Sequence, residues 1–367
     1  MPNSYIRSKS SSIRDFHLFD PSGFPRKAGR AEFGYFGSGR FNVPVKTIYD
    51  DLKAKLSDVV PEAELRIKAE IAEAILRLKR ERNAIILGHN YMEPALFHSV
   101  PDFTGDSLAL CRAAARTQAD TIVFCGVRFM AETAKILNPE KNVLLPAAVG
   151  GCSLAASITA QDVRDLKEQF PGAPVVVYIN TYADVKAEAD YCCTSGNAAD
   201  IVRSIEADTI IFLPDEYLAA NVQRETGKRL VTWPGRCEVH EKFSVEDVEN
   251  ARKQFPDVLV LAHPECSPEV TAAADFAGST AAMIHHVRES KAARYLLLTE
   301  CSMGDNIVAE NPEKEMLGIC SVRCPHMNEI TLEQTLSALE LDRYRIDVPE
   351  PVRSRAAQSI ERMLSFS

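Results

Sequence analysis

Residues 84–89 read AIILGH, and the same kind of run returns as VVVYIN at 175–180 and VLVLAH at 258–263. Each is apolar and rich in β-branched residues, as expected of a parallel strand buried on both faces, and each ends on a polar residue: His89, Asn180 and His263. A second apolar run follows each of them, TIVFCGV (121–127), TIIFLPD (209–215) and YLLLTEC (295–301). The starts lie 37, 34 and 37 residues after those of the first runs, enough for one helix and its loops in a β-α-β crossover. A helical stretch such as RFMAETAKIL comes next, then a weaker third run near VLLP (143–146), LVTW (230–233) and LGIC (317–320). The chain therefore reads as three similar parallel-sheet α/β domains, each a three-layer unit, around a pseudo-threefold axis with the active site at their junction.

The units are expected at 61–160, 161–248 and 249–340, with a C-terminal helical segment over 341–367. Residues 1–60 form an N-terminal extension, a flexible or surface arm whose first 47 residues carry eight Lys or Arg against three acids. The segment after Pro61 reads as an amphipathic helix with the stripe Ile67, Ile71, Ile75 and Leu78.

Composition limits the function. The chain has 367 residues and a formal net charge of -9, which argues against a protein built to neutralise a nucleic-acid backbone. No apolar run approaches the ~18 residues of a membrane span, and the N-terminus has no secretory apolar core, so the expected location is the cytoplasm. Ten cysteines are then unusual, because a chain this long needs no disulfide staples. No CxxC is present, so any metal must draw its ligands from distant parts of the chain.

The repeat register selects candidates. Cys152, Cys237 and Cys324 lie 63, 57 and 61 residues after His89, Asn180 and His263, and no other cysteines show this threefold spacing. Loops beyond the carboxyl ends of parallel strands gather where ligands bind, so three such units bring three thiols together. That set suits a zinc ion with an open fourth position, or a 4Fe-4S cluster with one iron left free. Three buried structural cysteines are the plain alternative. Ser107, Ser195 and Thr280 follow the first strands by 18, 15 and 17 residues, each in a Gly-containing turn that opens a helix. A hydroxyl there caps the helix or binds an anion. His89 and Tyr91, Tyr178 and Asn180, and His263 and Glu265 are pairs two apart at strand ends and so share a face if the strands continue. Glu265 beside His263 is the candidate for acid and base work, and His240, three residues after Cys237, projects toward the same metal.

The motifs GHNYMEP, TGDSLAL, GGCSLA, YINTYADVKAEADYCCTSGNA, WPGRCEVHEKF, AHPECSPEV, ADFAGSTAAMI, TECSMGDNI and CPHM, in this order over residues 84–340, resemble the quinolinate synthase family of NAD biosynthesis. The resemblance implies a triangular three-domain fold with a 4Fe-4S cluster held by Cys152, Cys237 and Cys324, its open iron acting as a Lewis acid. It implies condensation of iminoaspartate with dihydroxyacetone phosphate to quinolinate, with loss of phosphate and two waters and without net redox chemistry. Substrate contacts would be His89, Ser107, Tyr178, Asn180, Ser195, His263, Glu265 and Thr280, with Tyr91, Glu265 and His240 as acid and base groups. Channelling from an iminoaspartate-producing enzyme is a further expectation, with no nucleic-acid or membrane partner. Two departures stand out: Met92 replaces the amide of the family's HxYQ pattern, and Cys320 lies four residues from Cys324 rather than in a CxxC. A carrier of the same cluster would need neither Glu265 nor Tyr178 nor the three hydroxyls.

Overall fold

The computed structural model describes residues 47–319 and 322–366 of the chain. The expectations for the basic extension up to residue 46 and for Cys320 lie outside the described residues.

Three four-stranded parallel sheets carry the fold. The first has β1 (Ala84–His89), β2 (Phe103–Gly105), β3 (Thr121–Cys125) and β4 (Asn142–Leu144). The second has β5 (Val175–Tyr178), β6 (Tyr191–Cys193), β7 (Thr209–Leu213) and β8 (Arg229–Thr232). The third has β9 (Leu259–Ala262), β10 (Phe276–Ala277), β11 (Arg294–Leu298) and β12 (Glu315–Leu317). Their strand orders are β2-β1-β3-β4, β6-β5-β7-β8 and β10-β9-β11-β12, so one topology is used three times. The register repeats as well: Leu87 pairs with Phe124, Val177 with Leu213 and Leu261 with Leu297. The central strands are apolar on both faces because helices cover both, and β3 is buried throughout.

The expected three α/β units are present, with differences at their edges. The short strands β2, β6 and β10 do not read as apolar runs, yet each adds an edge beside the first strand of its sheet. β12 ends on Leu317, the first residue of the expected LGIC run, and His263 sits one residue beyond β9 rather than within it. Residues 48–56, expected in the arm, form a helix closed by a Thr47–Asp50 capping box. Leu52 and Leu56 of that helix are fully buried, so this part of 1–60 belongs to the body.

The helix Glu62–Glu81 buries most of the expected stripe, with Ile75 fully buried and Ile71 and Leu78 partly buried against the core. Leu65, Ala69, Ala72 and Ile75 face inward, while Ile67 is 58% exposed. Both rows fit a 3.6-residue period and share Ile75, and the small alanines let the helix approach its neighbours closely. Lys68 is buried on that face and ion-pairs with Glu93 at 3.1 Å and Glu333 at 3.3 Å. Glu333 belongs to the helix Leu332–Leu341, which packs on Glu62–Glu81, so residues placed at the end of the third unit by sequence extend the core of the first. The C-terminal helix Val352–Ser365 packs on β6 in the second unit, where Ser359 Oγ lies 3.3 Å from Cys192 Sγ. Among the described residues no helix is long and apolar enough to cross a membrane.

Candidate active site and metal centre

Loops after the carboxyl ends of all three sheets meet at one cavity, with about 720 Å³ of empty volume counting its mouth. Its lining includes every candidate taken from the sequence: His89, Tyr91, Ser107 and Cys152 from the first unit, Tyr178, Asn180, Ser195, Cys237 and His240 from the second, and His263, Glu265, Thr280 and Cys324 from the third.

Each cysteine opens a short helical turn. Cys152 is the N-cap of Ser153–Ala156, while Cys237 and Cys324 each lie three residues before a 3-10 turn, His240–Lys242 and Met327–Glu329. Backbone N–H groups of those turns favour the ionised sulfur: those of Ala155 and Leu154 at Cys152, of His240 and Val239 at Cys237, and of Met327 and His326 at Cys324. Burial outweighs these donors and pushes the Cys152 thiol up to about 12 and Cys324 to about 11, with Cys237 well above its ordinary value. Thiols so placed stay protonated at neutral pH unless a cation lies beside them. The two glycines before Cys152 serve close approach. Gly150 has φ of 52°, and a Cβ on Gly151 would meet the His326 ring at 3.1 Å.

Glu265 is the hub of the polar groups. Although His263-Pro264-Glu265 forms a turn rather than a continued strand, both side chains still reach the cavity. Glu265 Oε1 accepts from the Tyr178 hydroxyl at 2.5 Å and from Asn180 Nδ2 at 3.4 Å, and Oε2 lies 2.9 Å from His240 Nδ1. Burial opposes its ionisation, but contact with His240 and His263 and the Tyr178 donor outweigh it, and the carboxyl lies below the usual carboxylate range. Burial pulls His89 down to about 4 and His263 to about 3, against the pull of Glu265, so both are neutral rings near pH 7. His263 stacks on His240 at 4.6 Å, and its Nε2 lies 3.2 Å from Ser195 Oγ.

The three hydroxyls do not cap their helices. Asp106 caps the helix that begins at Ser107, Ser279 caps the one that begins at Thr280, and Ser195 lies two residues before the Asn197 cap. Ser107 and Thr280 are thus first-turn residues facing the cavity at positive helix ends, although Thr280 Oγ1 also accepts from Asn90 Nδ2 at 2.9 Å. Met92 is fully buried outside the cavity lining, and its carbonyl accepts from Asn306 Nδ2 at 2.9 Å.

Three further residues escaped the sequence reading. Thr299 Oγ1 joins Tyr91 Oη at 2.5 Å to His240 Nε2 at 3.0 Å. Asp215 and Glu300 each stand two residues after the central strands β7 and β11, and each accepts the backbone N–H of its own unit's cysteine, Cys237 at 3.1 Å and Cys324 at 3.4 Å. Burial raises both carboxyls, Glu300 to about 7. Their shared position after the second strand is a repeat signal in two of the three units, the first having Val127 there.

A protein-family model described as "Quinolinate synthetase A protein" matches residues 73–365. The chain belongs to this family. It is 52% identical over 311 residues to quinolinate synthase 2 of Mesorhizobium japonicum, covering 85% of this chain and 96% of the relative. It is 50% identical over 324 residues to quinolinate synthase of Agrobacterium fabrum, covering 88% and 92%. The same name belongs to a Xylella fastidiosa relative, 51% identical over 313 residues and covering 85% and 92%.

Proposed function

We propose that this chain is a quinolinate synthase that condenses iminoaspartate with dihydroxyacetone phosphate, releasing quinolinate, phosphate and two waters. The reaction balances without an oxidant. The observation that carries this reading is the meeting of three thiols, one from each unit, with the Glu265 network and the hydroxyls of Ser107, Ser195 and Thr280 in one cavity.

The donor set fits a 4Fe-4S cluster. Cys152, Cys237 and Cys324 would hold it, with backbone N–H groups of the following turns favouring each ionised sulfur, and three ligands leave one iron open. When bound, the cluster supplies a Lewis acid for dehydration at that open position. The remaining work falls to side chains. Glu265, ionised and aligned by Tyr178 and Asn180, accepts a proton from substrate, and His240 at its other oxygen moves a proton on that side of the cavity. Ser107 and Thr280, at helix starts, bind the anionic phosphate or carboxylate groups, and Ser195 with neutral His263 donates to a further oxygen. Tyr91, fixed by Thr299, delivers a proton to a leaving hydroxyl.

Thiolates of this kind call for a reducing compartment, which fits the cytoplasm. An imine hydrolyses in water, so direct supply from the enzyme that makes it belongs to the same reading. The test is anaerobic: the iron- and sulfide-reconstituted chain, given both substrates, forms quinolinate and phosphate in equal amounts. A reconstituted chain that forms neither would reject the proposal.

A further inference from the structure

His240 Nδ1 faces two donors at once, Cys237 Sγ at 3.1 Å and Glu265 Oε2 at 2.9 Å. The sulfur, nitrogen and oxygen all lie within 4.8 Å of one another, and His240 and Glu265 are almost wholly buried. This trio is not the thiol trio assigned to the cluster; it shares only Cys237. From these contacts we infer that the cluster-free chain binds one zinc ion through Cys237 Sγ, His240 Nδ1 and Glu265 Oε2, with the fourth position open to the cavity.

Mixed S, N and O donors suit zinc and not magnesium or calcium, which need oxygen shells. Tetrahedral zinc holds such ligand atoms roughly 3.4–3.6 Å apart, so the two contacts at His240 Nδ1 need open by only about half an ångström. The outer contacts already orient two of the ligands. His240 Nε2 is tied to Thr299 Oγ1 at 3.0 Å, which fixes the ring and leaves Nδ1 for the ion. Tyr178 and Asn180 occupy Glu265 Oε1, which leaves Oε2 for the ion. Metal-ligating histidines and carboxylates are held in this way. Because Cys237 serves both arrangements, zinc in this site excludes assembly of a cluster on the three thiols. The zinc site stands apart from the catalytic reading; only that exclusion rests on it.

The experiment uses the full chain, freed of iron by chelation and loaded anaerobically with one equivalent of zinc. X-ray absorption at the zinc edge is expected to show one sulfur and two or three nitrogen or oxygen neighbours. Three sulfurs would overturn the assignment in favour of the thiol trio. Cobalt(II) titration provides the second readout, with circular dichroism confirming that each variant is folded. His240→Asn and Glu265→Gln should each weaken binding by about 100-fold, while Cys152→Ala and Cys324→Ala stay within about threefold. Unchanged binding in His240→Asn, or its loss in Cys152→Ala, would overturn the site. Failure of the reconstituted chain to form quinolinate would leave these readouts unmoved, so the two readings fail separately.

Discussion

The Tyr178 hydroxyl donates to Glu265 Oε1 at 2.5 Å, joining the end of β5 in the second unit to the turn after β9 in the third. A short hydrogen bond to an ionised acceptor contributes about 1.5–3 kcal/mol, so Tyr178→Phe should lower quinolinate formation roughly 10- to 150-fold. Glu265→Gln removes the proton acceptor itself and should cost about 10²–10⁴ in kcat. Steady-state kinetics on the reconstituted chain check both. Glu265→Gln with unchanged kcat would remove this residue from the acid and base assignment.

Thr299 is absent from the cavity lining yet holds Tyr91 and His240 by one hydroxyl. Thr299→Val keeps the shape and deletes both contacts, each worth about 1 kcal/mol, so kcat should fall on the order of tenfold or more. KM should stay near its original value because the side chain does not face substrate. Thr299→Ser, which retains the hydroxyl, should recover most of the activity. Equal behaviour of the valine and serine variants would mean that packing, not positioning, is the role.

His98 sets a pH dependence of stability away from the site. Burial, followed by the Lys55 charge, pulls it down to about 4, and its Nδ1 lies 3.4 Å from Lys55 Nζ. The unfolded chain binds this proton below about pH 6.5 and the folded chain only near pH 4. Stability is therefore undiminished above pH 6.5 and falls as pH drops through that window. Allowing for partial exposure, the loss from this group is about 1–2 kcal/mol. Thermal midpoints of the wild type and His98→Gln, measured from pH 7.5 to 4.5, should converge as pH falls. Parallel curves would contradict the assignment.

The helix Ile48–Leu56 belongs to the folded body, so deleting its buried side chains must be felt. Leu56→Ala should cost about 2–5 kcal/mol of unfolding free energy, read by urea denaturation. A change below 0.5 kcal/mol, within the ordinary scatter of about ±0.5 kcal/mol for surface substitutions, would restore the reading of this segment as a surface arm.

Much of the fold and site was legible because the chain repeats itself. The strand-end residues His89, Asn180 and His263 and the cysteines Cys152, Cys237 and Cys324 recur in register, and equal topology turns register into proximity. The edge strands β2, β6 and β10 stayed hidden because two or three residues at a sheet edge carry no apolar period. In Glu62–Glu81 only Ile67 departs from the expected stripe, and the alanines of the buried face stay hidden because isoleucines outweigh them on any hydrophobicity count. Thr299 left no local signal at all, since its partners Tyr91 and His240 come from other units. Asp215 and Glu300 did leave one: both follow the second strand by two residues and both hold the cysteine of their own unit.

The proposed chemistry stands or falls on three distant thiols, one per unit, holding a single cluster. Iron and sulfide content per chain after anaerobic reconstitution tests this most directly, for the wild type and for Cys152→Ala, Cys237→Ala and Cys324→Ala. We expect about four irons and four sulfides in the wild type and loss of the cluster in each variant, while Cys193→Ala, buried in β6, keeps it. Full iron and sulfide in any one of the first three variants would contradict the shared cluster.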